Sequence, residues 1–381
     1  MIKKLKQYQF IQAISVLTAT IVGAGVLALP YTIYYAGYWV GIVYLLVLGV
    51  VMMVLNMMLG EVILRTKKNL HIPELVKLYL GKKGYLLALF SFTILIYGGM
   101  AAYIRGVGDI MNFVLPSESF NWSIVFFTIG VYLVFKGLKV VSRWDSIFVT
   151  GMVLIVLTLW LRSIYTQSID WNQFQIKPSS SFSDIFKPYG AVLFSYFGVI
   201  AIPHIKSILG KNSLSQMKTV IKLGVWIPIL LYSIFVSLVI GVSGASVTPV
   251  AIISLGENMG QQVLIITSVF AIIAMMSTYI TMGLSMVDAY MSFGKMNKNI
   301  AIILSTLPSM AVLLFDWAKF DTMIQYSGGI GVGILSILIV LTFWKAKVQG
   351  EVLPAYSLGH MKWVGVAMIL VFCLGIITLF I

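Results

Sequence analysis

Two glycines and a proline interrupt an otherwise apolar run, Thr20-Ile21-Val22-Gly23-Ala24-Gly25-Val26-Leu27-Ala28-Leu29-Pro30-Tyr31. A membrane helix broken at mid-depth has backbone groups that lipid cannot satisfy, so they must line a cavity enclosed by protein. Freed N–H groups at the positive end of a half-helix suit a carboxylate, and freed carbonyls suit a cation. The chemistry implied is reversible capture of a small anionic or zwitterionic molecule. Glycine also serves plain helix packing in membranes, so the second passage matters. Val192-Leu193-Phe194-Ser195-Tyr196-Phe197-Gly198, followed by Pro203, repeats the interruption in another apolar run. Phe194 and Phe197 beside it are candidate walls or lids for an apolar side chain. No acidic residue accompanies them, which favours a neutral ligand side chain over a basic one.

A coupling ion has a candidate site as well. Carbonyls of Ala19 and Val22, with the hydroxyls of Ser277 and Thr278, offer hard oxygen ligands without a carboxylate, which fits a monovalent cation bound reversibly. Hydroxyls in membrane helices also bond back to the preceding turn, the competing use of the same residues. The run Trp144 to Tyr165 carries no lysine in its interior, which favours sodium over a lysine-centred proton site. A proton on another residue stays open. Charged residues inside a span are functional candidates by default. Arg105 and Asp109 lie four apart, either a plain intrahelical pair near the interface or, with Asp321 or Asp316 as further partners, an outer gate; Glu61 and Arg65 form a second such pair, an inner gate or a snorkelling structural pair.

These residues need a membrane scaffold. Of the 381 residues, 60% are hydrophobic and 10% charged, and mean hydropathy is +1.00, which excludes a soluble domain. Apolar stretches long enough to cross ~30 Å of hydrocarbon recur along the whole chain. Eleven spans are expected near 8–34, 38–65, 84–115, 122–137, 144–165, 185–209, 217–243, 258–292, 298–315, 320–345 and 361–380. His71 to Leu80 predicts a short amphipathic helix, and Thr248 to Leu255 a second surface element. The chain is one domain over 1–381, with a first half at 8–165, a second at 185–345 and an extra helix at 361–380. The polar stretch Thr166 to Ser183 divides five spans from six, so the second half starts from the opposite side. Interrupted helices opening two oppositely oriented halves point to an inverted repeat with the ligand site between them.

The net charge of +14 falls mainly on alternate loops, which sets the N-terminus inside, the C-terminus outside, and excludes nucleic acid as a partner. A cytoplasmic-membrane location with lipid around the spans is expected. The lone cysteine, Cys373, excludes an intrachain disulfide. No phosphate-binding glycine loop, zinc-binding HExxH or nucleophile–base pair stands out, so an enzyme is not expected, and neither is a cofactor beyond a coupling Na+ or H+.

Four passages carry a family resemblance: Thr20 to Tyr31, Tyr97 to Asp109, Val192 to Pro203 and Ser277 to Tyr290. With eleven spans, the chain resembles the aromatic and hydroxy amino acid permeases. The wider likeness is to the amino acid/auxin permease group, within the amino acid–polyamine–cation superfamily and its LeuT-type fold. The resemblance implies cation-coupled symport of a small neutral or aromatic amino acid by alternating access. It implies that the carboxylate sits on N–H groups around Gly23, Ala24 and Gly25. The ammonium then sits on carbonyls near Phe194 and Tyr196, with Ser195, Phe197 and Tyr103 completing the site. Tyr196 departs from the small residue relatives often carry there, and a phenol at that point would narrow the pocket. The same superfamily includes spore germinant receptor subunits, so an amino-acid-sensing receptor is one alternative. An uncoupled facilitator or exchanger is the other.

Overall fold

The computed structural model describes residues 2–68, 70–116, 118–137, 142–175, 181–294, 296–315 and 318–380, all helix, turn or irregular chain. Seven helical segments are long and apolar enough to span a membrane. A bent pair, Gln7–Ile21 with Gly25–Ala36 at 43°, and three shorter apolar helices complete the eleven expected spans. The expected class holds: a polytopic α-helical protein whose first and sixth spans are broken, with one extra helix at the C-terminal end.

The first span comprises α1 (Ile2–Ile21), a 3-10 turn at Ala24–Ala28 and α2 (Leu29–Ala36). It is followed by α3 (Tyr38–Arg65), α4 (Ile72–Val114), α5 (Ser119–Lys136) and α6 (Ser142–Tyr165). The sixth span is α7 (Pro188–Ser195) and α8 (Ile202–Leu209), joined through a 3-10 turn at Val199–Ala201. Then come α9 (Met217–Ser243), a short α10 (Ala251–Met259), α11 (Gln261–Gly294) and α12 (Lys298–Leu314). The tenth span is α13 (Phe320–Tyr326), a π-helical turn at Ser327–Val332 and α14 (Gly333–Gln349), and the last is α15 (Lys362–Thr378). The surface element expected at Thr248 to Leu255 is α10, shifted a few residues on. The amphipathic helix expected at His71 to Leu80 is the start of α4. It turns at Gly81, whose φ of +73° only glycine adopts without strain. Residues 176–180 of the loop expected over Thr166 to Ser183 lie outside the described residues.

Proline inside a helix removes one N–H, which strands the carbonyl four residues earlier. In a membrane that oxygen needs a donor from a neighbour. Pro228 in α9 strands the carbonyl of Gly224, which accepts the Thr18 hydroxyl of α1 at 3.2 Å. Pro308 in α12 strands that of Leu304, which accepts the Tyr97 hydroxyl of α4 at 2.7 Å. Each of these proline-bearing helices of the second half is thereby tied to a helix of the first half. Thr18→Val keeps the shape of a fully buried residue and leaves the Gly224 oxygen unpaired. The expected loss is about 1–3 kcal/mol, read as a lower unfolding temperature of purified protein.

Candidate functional site

The first break begins where α1 ends. The Val22 N–H still reaches the Thr18 carbonyl at 2.7 Å, but the Gly23 N–H turns back to the Ile21 carbonyl at 2.8 Å. Gly23 is extended, with φ −91° and ψ −163°, and the 3-10 turn starts after it. The leading N–H groups of any such turn have no acceptor within it. Ala24 and Gly25 therefore open the turn with N–H groups that have no acceptor within it. Gly23, expected to receive the carboxylate with them, has its N–H engaged within the chain because the backbone folds back on itself there. Pro30 at the start of α2 fixes where the helix resumes.

The second break follows Ser195. The Tyr196 N–H donates to the Val192 carbonyl and the Phe197 N–H to that of Phe194, both at 3.1 Å. Each carbonyl has two lone pairs, so one accepted bond leaves room for another donor. The breaks touch at Gly25, where a Cβ would lie 2.8 Å from Ser195 Oγ and 2.9 Å from Phe194 Cδ1. The turn of the first break thus packs directly against the last two residues of α7.

The walls at that point are apolar and aromatic. The Phe194 ring lies between Gly25 and Gly99 of α4, with Tyr103 edge-on at 6.2 Å between centroids. Met282 Sδ lies 3.2 Å from where a Gly99 Cβ would sit. Phe197 is also buried. The Tyr196 ring points elsewhere: its Cζ is 3.2 Å from a Cβ built on Gly49 of α3, and it lies against Tyr232 of α9 at 5.2 Å. The phenol thus sits in the α3–α9 interface instead of narrowing the space between the breaks.

Of the candidate cation ligands, Thr278 faces the first break, its Oγ1 3.0 Å from a Cβ built on Gly23. Its proton is given to the Ala274 carbonyl at 3.0 Å, which leaves oxygen lone pairs available. Ser277 is half-buried one residue earlier, and Ala19 and Val22 lie on the last turn of α1 and just beyond it. Behind Gly23 is an apolar cavity of about 40 Å³, where Met152, Ile155, Val156 and Leu159 of α6 face Val22 and Val26. Among the described residues no group of three or more His, Cys, Asp or Glu is placed to hold a metal ion.

The charged pairs take distinct places. Arg105 reaches Asp109 at 3.4 Å, and Asp109 also accepts the Ser119 hydroxyl at 2.9 Å, where α4 meets α5. Asp321 has Lys187 and Lys319 as its charged neighbours, and Asp316 lies outside the described residues. Glu61 is fully buried. Its carboxylate meets Arg65 at 2.9 Å and Lys347 of α14 at 2.6 Å, and accepts the Leu358 N–H at 2.8 Å. Close by, Lys206 of α8 donates to the Ile63 and Thr66 carbonyls at the end of α3, where a cation suits the helix terminus.

Three participants escaped the sequence reading. Lys347 and the segment 350–361 come to Glu61 from nearly three hundred residues away. The π-helical turn packs Gly328 onto the Gly190 carbonyl and the Phe194 backbone, and its one visible signal was the run Ser327-Gly328-Gly329-Ile330-Gly331. Tyr232 had no local signal at all in its apolar surroundings.

Spans broken at matching places, meeting backbone to backbone inside a helical bundle, define a membrane transporter of the LeuT-fold class. The chain belongs to the tryptophan/tyrosine permease family, whose profile matches residues 6–381. It is 23% identical over 395 residues to tyrosine-specific transport system 2 of Haemophilus influenzae, covering 96% of this chain and 94% of that one. It is 20% identical over 342 residues to glutamine transporter 2 of Aliivibrio fischeri, covering 86% of each. Among solved structures it is similar to MhsT in complex with L-phenylalanine, with a TM-score of 0.67 at 14% identity, over 96% of this chain and 98% of that one. It is also similar to the nucleobase-cation-symport-1 family transporter Mhp1 in a closed conformation, with a TM-score of 0.68 at 12% identity, over 97% and 90%. At such identities the structural likeness is one of fold.

Proposed function

We propose that the protein carries a neutral amino acid, aromatic or small, across the cytoplasmic membrane by cation-coupled symport with alternating access. The observation that carries this is the meeting of the breaks at Gly25: anion-binding N–H positions at Ala24 and Gly25 against the carbonyl end of α7. A zwitterion bridges such a pair with its two charges, while the walls of Phe194, Tyr103 and Gly99 receive a side chain without charge. Tyrosine-specific and glutamine relatives support an amino acid, and the seating of the Tyr196 ring in the α3–α9 interface supports room for an aromatic one. Thr278 at the break and the apolar α6 wall, without a lysine, support sodium as the coupling ion over a lysine-held proton. The basic ends of α3, α8 and α14 meet on one face, which supports the cytoplasmic side there, with the N-terminus inside and the C-terminus outside. The four matching passages also support placing the chain beside the amino acid/auxin permease group.

Purified protein in liposomes tests the reading. Labelled tyrosine, tryptophan, phenylalanine and glutamine are offered under a sodium gradient, a proton gradient and neither. Accumulation under the sodium gradient alone is expected. Accumulation under the proton gradient alone removes the Thr278 ion site, and exchange without accumulation removes symport. Binding without any flux favours an amino-acid receptor.

A further inference from the structure

Tyr232 of α9 is fully buried, and its hydroxyl lies 2.7 Å from the carbonyl oxygen of Ile21 and 3.0 Å from that of Ser195. Those are the last residues of α1 and α7, the half-helices that stop at the two breaks. Each helix end carries partial negative charge from its unpaired carbonyls, so two such ends brought together repel. The Ile21 oxygen also accepts the Gly23 N–H at 2.8 Å, so what the two ends need beyond that, in an interior without bulk water, is one further donor shared between them. One O–H placed between both oxygens supplies it. The ring is held from the side by Tyr196, the residue directly after α7, at 5.2 Å between centroids and 38° between planes. The residue is thus fixed by the very segment it binds.

We propose that Tyr232 is a positioning residue that fastens the two breaks to one another and sets the spacing of the groups that receive the ligand. It does with a protein hydroxyl what a bound cation would do between two sets of helix-end carbonyls. The fastening is therefore present before any ion or ligand arrives. The breaks are joined at their carbonyl ends by Tyr232 and meet again at Gly25. Two contacts restrain the ends of α1 and α7 against sliding apart, so the first and sixth spans are coupled at their breaks. The role in ligand recognition rests on the transport reading above; the fastening itself does not.

Tyr232→Phe removes only the oxygen and preserves the ring that packs on Tyr196. Hydrogen–deuterium exchange on ligand-free protein reads the fastening directly. Amides at 22–28 and 196–201 are expected to exchange about tenfold faster or more, with α12 unchanged, because an opening that lost a shared hydrogen bond is easier by that order. Unchanged exchange at either break overturns the proposal. Should Tyr232→Phe fail to fold, 3,5-difluorotyrosine at the same position keeps the hydroxyl and makes it a stronger donor. Slower exchange at both breaks then supports the fastening, and wild-type exchange overturns it. The ligand readout is separate. For the Phe variant the KM of the transported amino acid is expected to rise about tenfold while kcat changes little, the pattern of lost ground-state positioning. An unchanged KM beside faster exchange overturns the positioning role. A wild-type protein that carries no amino acid sinks the transport reading instead, with the exchange result still deciding the fastening.

Discussion

Gly25→Val is expected to weaken amino acid binding about a hundredfold while leaving a folded protein. The first carbon of the new side chain would lie 2.8 Å from Ser195 Oγ, 2.9 Å from Phe194 Cδ1 and 3.0 Å from Ser195 Cα. A hydroxyl or a ring can turn aside; the Cα cannot, so α7 must retreat from the first break. The Cβ alone asks for a few tenths of an ångström and the two valine methyls for more, which pulls the N–H positions at Ala24 and Gly25 away from the end of α7, and one zwitterion spans them poorly. Loss of one of two charge-assisted contacts, each of the order of 1.5–3 kcal/mol, lowers affinity by about a hundredfold when partial loss of the other is included. Gly23→Ala is the graded control. Its new carbon meets chiefly Thr278 Oγ1 at 3.0 Å, a side-chain atom that can rotate away. It is expected to keep amino acid binding and to weaken the dependence on the coupling ion. Scintillation-proximity binding of a labelled amino acid, beside a melting curve for each variant, checks both. Wild-type affinity in a well-folded Gly25→Val protein removes the site between the breaks.

Why these glycines were legible, and other participants not, follows from the range of the interactions. A broken span is a local event: Gly23, Gly25 and Pro30 disturb one apolar run, as Gly198 and Pro203 disturb another, and each disturbance is visible within a dozen residues. The spans themselves were visible for the same reason, since crossing the bilayer demands a continuous apolar length. Tyr232 is the opposite case. Its role depends on Ile21, 211 positions away, and on Ser195, 37 positions away, so nothing around it in sequence distinguishes it from a packing tyrosine. Tyr196 shows the same limit in reverse. Its place beside the break suggested a residue that narrows the pocket, but the direction of a side chain at a broken helix end is set by neighbours, here Gly49 and Tyr232. Glu61 was visible as a charge inside a span, and Arg65 four residues on suggested its partner. What sequence spacing could not supply was Lys347 and the returning segment, which turn a pair on one helix into a junction of three elements.

That junction gives the largest stability effect expected in the molecule. Glu61→Ala leaves Lys347, only 6% exposed, and Arg65, 15% exposed, facing one another with no anion between them. Removing one side of a buried ion pair costs about 3–5 kcal/mol, because the remaining charge has neither partner nor water. The segment that crosses the end of α3 loses an anchor too. The Leu358 N–H no longer has its acceptor, leaving the Glu351 and Val352 N–H bonds to the Arg65 carbonyl, at 2.9 and 3.1 Å, and the Tyr356 hydroxyl on the Met57 carbonyl at 2.6 Å. Burial pushes the Tyr356 phenol well above its ordinary pKa, so it stays protonated and keeps donating through the physiological range. The segment should therefore loosen without detaching. The measurements are a strongly lowered unfolding temperature and new chymotrypsin cleavage after Tyr356. The decisive comparison is Glu61→Leu with Lys347→Met, which removes an anion and a cation together and leaves Arg65 able to snorkel to water. Replacing a buried pair by apolar residues is often neutral, so the double variant should recover most of the stability lost in Glu61→Ala. If it recovers stability and still fails to transport, the charges at the end of α3 serve opening and closing; if transport returns as well, they serve the fold alone.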